Sequence, residues 1–325
     1  MNMAVRVCIR CTLLLVVALV SSVVHAQAYP ARPVRFIIPF GTGGSADIIG
    51  RLTAQKLTES LGQQFIADNR AGAGGIIGTE LAAKAAADGY TLVLGSFGTH
   101  TGNPNLYRKL PYDPLKDFAP VSMVATVPLV LAVHPSVPAK SIQDLIALAK
   151  AKPRSLNYAS SGNGTGTHLA AELFKSLADV EMTHIPYRSA GTAVSELTAG
   201  QVEVMFSTLP SVLPLVKAGK LRALGISSAA RSEAAPGLPP IGQSVKGFDA
   251  GTWFGVLAPA GAPASIVSLL GKEIVRITAM ADVRSRLIAL GAEPIGNTPE
   301  QFNQYIKAEL PRWGKVIRAA GITLD

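Results

Sequence analysis

Two short stretches carry residue types that could do chemistry, and they share a design. Gly41-Thr42-Gly43-Gly44-Ser45-Ala46-Asp47 follows the apolar run VRFII, and Ser160-Ser161-Gly162-Asn163-Gly164-Thr165-Gly166-Thr167-His168 follows LNYA. In each, glycines let backbone N–H groups approach a ligand, hydroxyls add donors, and a helix start adds positive potential. Thr42, Gly43, Gly44 and Ser45 from one loop, with Ser160, Gly162, Asn163 and Thr165 from the other, would clamp an anion from two sides. A single such loop also suits a plain strand-to-helix turn, with Ser45 as the helix cap. Asp47 is placed to cap and stiffen the first loop.

Other chemistries find no support. The first loop lacks the Gly-Lys-Ser/Thr ending of a phosphate-binding P-loop, and Asn69-Arg-Ala-Gly-Ala-Gly-Gly-Ile-Ile-Gly78 has the wrong glycine spacing for a dinucleotide fingerprint. No G-x-S-x-G elbow is present. His100, His134, His168 and His184 show no metal-ligand spacing, so neither a metal nor a cofactor is expected, and no residue is assigned a catalytic role. His100 and His168 fall where strands finish and are candidates to face a ligand, whereas His134 and His184 suit structural roles. PYRSAG (186–191) and FSTLP (206–210) are further strand-to-helix joints. There Tyr187 could wall a cleft, and Ser207 and Thr208 could donate to a ligand.

Positioning two such loops requires strands that end side by side. Apolar β-rich runs alternate with helical periodicity, the pattern of parallel sheets with crossover helices. Strands are expected near 33–39, 64–68 and 90–95, with helices near 45–61 and 75–86. Residues 98–120 read mostly as loop. A second series follows: strands at 129–135, 156–160, 181–187, 202–206 and 221–227, and helices at 141–151, capped by Ser141, at 166–178 and at 190–199. Residues 231–251 are Pro/Gly-rich, and a strand at 253–258 precedes helices near 263–279, 281–290 and 299–320. That late strand has an obvious partner only in the first series. The chain should therefore pass from a first α/β unit to a second and back, through crossings near 123–130 and 228–252.

Bulk properties narrow the function. The 325 residues carry a net charge of +9, or 9 − 2 = +7 without Arg6 and Arg10 of the N-terminus. The remaining cations are scattered, so a nucleic-acid face is not expected, and an anionic small ligand is. Residues 1–28 read as an export signal: Arg6 and Arg10, then the apolar CTLLLVVALVSSVV, then small residues with cleavage after Ala26 or Ala28. Cys8 and Cys11 leave with it, so the mature chain has no thiol. No later segment is apolar and long enough to span a bilayer.

The ordered set PVRFIIPFGTGGSADIIGR, NRAGAGGIIG, AADGYTLVLGS, YDPLKDFAPVS, LNYASSGNGTGTHLAAELF, GQVEVMFSTLPS, GKLRALGIS, WFGVLAPAGAP and GAEPIGNTPEQF resembles the Bug-type extracytoplasmic solute receptors of tripartite tricarboxylate transporters. The resemblance runs from about residue 29 to 320. It implies an α/β, two-lobed periplasmic-binding-protein fold (Venus flytrap, type II), each lobe a mostly parallel sheet flanked by helices. Residues 1–26 would be the signal, 27–126 with 252–325 the first lobe, and 127–251 the second. The implied function is capture of a small carboxylate, di- or tricarboxylate rather than amino acid, for delivery to membrane permease subunits by a monomeric periplasmic receptor. Alternatives are a receptor that presents ligand to a sensor, or an exported hydrolase.

In that family, backbone N–H groups, hydroxyls and bridging waters hold the carboxylate. Carried over, the holders are Thr42, Gly43, Gly44, Ser45, Ser160, Gly162, Asn163 and Thr165 with His168 beside them, and Thr99, Asn103 and Tyr187 complete the wall. Two departures stand out. The first loop replaces the common Pro-Pro-Gly-Gly-Gly-Thr-Asp, which frees the loop and adds a hydroxyl. Ser207 stands where many members carry an acid, which removes a counter-charge for a ligand ammonium group.

Overall fold

The first half of the chain lays down β1 (Val34–Ile38), α1 (Ser45–Leu61), β2 (Phe65–Asn69), α2 (Ile76–Ala83), β3 (Thr91–Ser96) and a short α3 (Asn103–Leu106). This is a computed structural model, and it describes residues 29–187 and 190–323. The expected signal segment, with both cysteines, lies outside the described residues. β1 pairs in parallel with β2 and β3. Its VRFII run is buried on both faces because the crossover helices cover the sheet.

Next comes β4 (Phe118–Val133), followed by α4 (Ile142–Ala151), β5 (Asn157–Ser160), α5 (Gly166–Ala178), β6 (Thr183–Pro186), α6 (Ala190–Thr198), β7 (Val204–Thr208), α7 (Leu209–Lys217) and β8 (Arg222–Ile226). The chain closes with β9 (Gly251–Pro259), α8 (Ala264–Ala279), α9 (Ala281–Ala289), β10 (Glu293–Pro294) and α10 (Pro299–Ala319). The strand order is β2-β1-β3-β9-β4-β7-β5-β6, with β8 and β10 paired to β4.

β4 serves both lobes. Its first part runs antiparallel to β9 as far as Pro128↔Gly251, and from Leu129↔Thr208 it runs antiparallel to β7. At that change of partner the Leu129 N–H donates to Ser227 Oγ (2.7 Å), while Ser227 N donates back to the Leu129 carbonyl (2.8 Å). The late strand, now β9, does return to the first series, against β3. α10 leans on both lobes: it packs against β4 and α5, and Trp313 meets Phe97 edge-on at 4.9 Å.

Three features depart from the sequence pattern. β4 begins at Phe118 rather than near 129. Pro120 and Pro128 disguise its first part, and the ladder accommodates Pro120 beside a bulge. The expected loop after β3 contains a π-turn over 98–102 and then α3. α7 holds Pro210 in its first turn, where no amide is needed, and Pro214 further in, and these mask its periodicity.

Candidate functional site

The C-terminal ends of the parallel strands open on a cleft of about 460 Å³. Phe40, Gly44, Ser45 and Ala46 line it from the β1–α1 joint, with Gly74, Ser96, Phe97, Gly98, Asn103 and Tyr107 beyond. Across from them stand Ser161, Asn163, Gly164, Thr165, Gly166, Ala190 and Thr208, and Thr252 and Phe254 of β9 close the back. Among the described residues, no Asp, Glu, Lys, Arg or His lines this cleft.

Positive potential comes from backbone instead. α1, α5 and α7 start at Gly44, Thr165 and Thr208, all of which line the cleft, and none of the three has a side-chain cap. The first-turn N–H groups of a helix have no intrahelical acceptor and carry a partial positive charge. Three uncapped helix starts on one cleft give it positive potential suited to an anion without a counter-ion. Ser45 itself is the first helical residue and not the cap.

The first loop is held from behind. Asp47, 5% exposed, accepts from Gly43 N (3.0 Å), Arg51 Nε (2.8 Å) and Asn69 Nδ2 (2.9 Å). Burial pushes its carboxyl up, but the Gly43 amide, Asn69 and Arg51 outweigh that and hold it below the usual range. Thr42 and Gly43 are exposed beside the lining, and Gly43 has φ +85, a conformation that suits glycine.

The second loop is knitted internally. The fully buried Ser160 bonds through Oγ with the Gly162 amide (3.1 Å) and meets His184 Nε2 at 2.7 Å. Thr165 Oγ1 donates to the Gly162 carbonyl (2.7 Å), and Gly162 needs its φ of +126 to close the turn. His168 Nδ1 accepts from Gly164 N at 3.0 Å, so that nitrogen carries no proton. The His168 ring stacks on His184 at 3.9 Å, and burial pulls both imidazoles down to about 4.

Of the residues singled out by sequence, Gly44, Ser45, Asn103, Asn163, Thr165 and Thr208 line the cleft together. Others sit behind it. Thr99 is buried, accepts from Ser96 N (3.0 Å) and meets His100 Nδ1 (2.9 Å). His100 does not face the cleft; it packs against Phe118 at 4.7 Å, and burial pulls its pKa down to about 3. Tyr187 is half-buried against the apolar cluster of the second lobe. Ser207 is 1% exposed, with an Oγ that has no partner among the described residues. The sequence pattern also passed over Phe40, Phe97, Tyr107, Thr252 and Phe254. Phe40 and Phe97 directly follow strands, and Thr252 and Phe254 share one face of β9, so strand ends and period-two spacing were the available signals.

The Ser160–His184 pair has the distance of a nucleophile and base but not the setting. Ser160 has no exposed surface, and among the described residues no carboxylate is hydrogen-bonded to His184.

The model of the tripartite tricarboxylate transporter family receptor matches residues 49–322. The chain belongs to this family. Protein BugT of Bordetella pertussis (strain Tohama I) is 40% identical over 307 residues, covering 94% of this chain and 94% of BugT. Among solved structures, Rpa4515 of R. palustris, recorded with adipate, is 39% identical with a TM-score of 0.80, covering 91% of this chain and 99% of that one. MatC of Rhodopseudomonas palustris, recorded with bound malate, is 32% identical with a TM-score of 0.75, covering 89% and 100%. The architecture is thus the two-lobed binding-protein fold of this family. Among the described residues, no helix is long and apolar enough to cross a membrane.

Proposed function

We propose that this chain is a periplasmic receptor that captures a small organic di- or tricarboxylate between its lobes and delivers it to the permease subunits of a tripartite tricarboxylate transporter. The observation that carries this is the uncharged cleft fed by three uncapped helix starts from both lobes. The adipate and malate recorded with Rpa4515 and MatC support it. In this reading 27–126 and 252–325 make one lobe and 127–251 the other, residues 1–26 are removed on export, and the receptor works as a monomer. It carries its cargo without turning it over. Gly44, Ser45, Asn103, Asn163 and Thr165 touch the carboxylates, with Thr42 and Gly43 joining as the lobes close. Asp47, Thr99, Ser160, Gly162 and His168 hold the loops, while Tyr187 and Ser207 support the second lobe behind them.

Thermal-shift screening of the exported form against mono-, di- and tricarboxylates, amino acids and neutral sugars tests the proposal. A carboxylate at a hundredfold its Kd adds about 2.7 kcal/mol of stability. A shift with a neutral sugar and none with any carboxylate would overturn it.

A further inference from the structure

We infer that Asn163 is a self-modifying site: its side-chain amide is lost to attack by the Gly164 backbone nitrogen, and the carboxylate left behind closes the cleft to further cargo. The second half of this rests on the carboxylate-receptor reading above. Asn163-Gly164 is the sole Asn-Gly pair in the chain, and every other asparagine is followed by a residue whose side chain crowds the next backbone nitrogen. Asn163 is exposed on the cleft, and its carboxamide is bonded to no other described residue. Gly164 stands at φ +72, a backbone that glycine adopts without strain. Its N–H donates to His168 Nδ1 at 3.0 Å. That nitrogen offers a lone pair, at the distance expected of a base from the proton it takes.

In the step, Gly164 N passes its proton to His168 Nδ1 and attacks Asn163 Cγ, closing a succinimide ring. The Cγ–Nδ2 bond breaks, and the amine takes up the proton and leaves as ammonia. Water then opens the ring at either carbonyl, giving aspartate or isoaspartate. In balance, an amide and water become a carboxylate and ammonium. Charge gathering on the attacking nitrogen and the carbonyl oxygen lies beside the first-turn amides of α5, whose start at Thr165 has no side-chain cap. Burial keeps the His168 imidazole down at about 4, which makes it a weak base, so this is a slow ageing reaction and not a turnover. The new carboxylate competes for the α5 amides that hold the cargo and repels the cargo's own charge. Cargo bonded to Asn163 occupies its carboxamide, so empty receptors age while loaded ones are spared.

Incubating the exported form in mildly alkaline buffer, then mapping its peptides by mass spectrometry, reads the site directly. The Asn163 peptide should gain the mass of an NH2-to-OH exchange and yield isoaspartate, while the peptides of Asn69, Asn103 and Asn105 stay unchanged. A sample unfolded in guanidinium chloride runs alongside. Asn163 intact in the folded chain once the unfolded one has converted would overturn the inference. His168→Asn keeps an acceptor for Gly164 N but supplies no base, so conversion should slow; an equal or faster rate would remove His168 from the step. Calorimetry with adipate and malate then compares fresh protein, the converted fraction and Asn163→Asp. Affinity should fall at least about tenfold in the last two, from a like charge set against the cargo, with circular dichroism unchanged. Equal affinity would overturn the closing of the cleft. Fresh protein that binds neither acid would sink the receptor reading and leave the mass result standing.

Discussion

Asp47→Asn is the most informative single change, because it alters the charge behind the first loop while keeping its shape. The carboxylate uses Oδ2 for the Gly43 amide and Oδ1 for Arg51 and Asn69. An amide in its place must turn an NH2 towards one of those donor sets, so at least one bond becomes a donor–donor contact. Hydrogen bonds to charged groups are worth about 1.5–3 kcal/mol each. Arg51 is about half exposed, with 49% of its side-chain surface accessible, and contributes at the low end. A loss of about 2–4 kcal/mol of stability follows, measured by urea denaturation at pH 7. The amides of Gly44, Ser45 and Ala46 lose their fixed aim at the same time, so carboxylate affinity should fall at least about tenfold. Calorimetry on the folded variant reads that number. Lost stability with affinity within twofold of wild type would show that Asp47 braces the lobe without aiming the loop. No change in either would refute the argument.

Other outcomes follow from the same contacts. Ser227→Ala leaves the Leu129 amide unpaired in a fully buried site and should cost about 1–3 kcal/mol, seen as a lower urea midpoint; an unchanged midpoint counts against Ser227 as the pin of the crossing. Replacing Thr42 and Ser45 together by Ala should weaken carboxylate binding while circular dichroism and the melting transition stay as in wild type; unaltered affinity would remove both hydroxyls from the site. His168, at about 4, and His100, at about 3, stay neutral in the fold but protonate near 6.5 when unfolded. The unfolded chain then binds more protons between those values, so stability falls as the pH drops from about 6.5 towards 4. The loss is about 1.4 kcal/mol per pH unit for each such group, and equal urea midpoints at pH 7 and pH 5 would contradict it.

Much of this was visible in residue order, and what was hidden has identifiable causes. The α1 and α5 helices lie where the apolar periodicity puts them, because their loops end in small residues and their faces pack on a sheet. The two anion loops were legible as glycine and hydroxyl clusters directly after strands. What stayed hidden was tertiary. Nothing local tells that His100 turns into the core against Phe118 while its neighbour Asn103 faces the cleft. Pro120, Pro128, Pro210 and Pro214 broke the signals of β4 and α7, although Pro120 sits beside a bulge and Pro210 in a first turn, where a missing amide is tolerated. The ring wall came from residues that looked like ordinary core, Phe40 and Phe254, because a cleft wall and a core face share one chemistry.

The uncharged lining has a consequence for unloading. A cargo held by an arginine fork leaves behind a buried cation, and its departure waits on water or a competitor to replace the pair. The amides of helix starts are fixed in place by their helices and carry only partial charge, and their free N–H groups rehydrate one water at a time as the lobes part. With no acid, base or imidazole among the described lining residues, loading should follow the ligand's own ionisation alone, so a cell in mildly acidic or mildly alkaline surroundings would fill the receptor equally well.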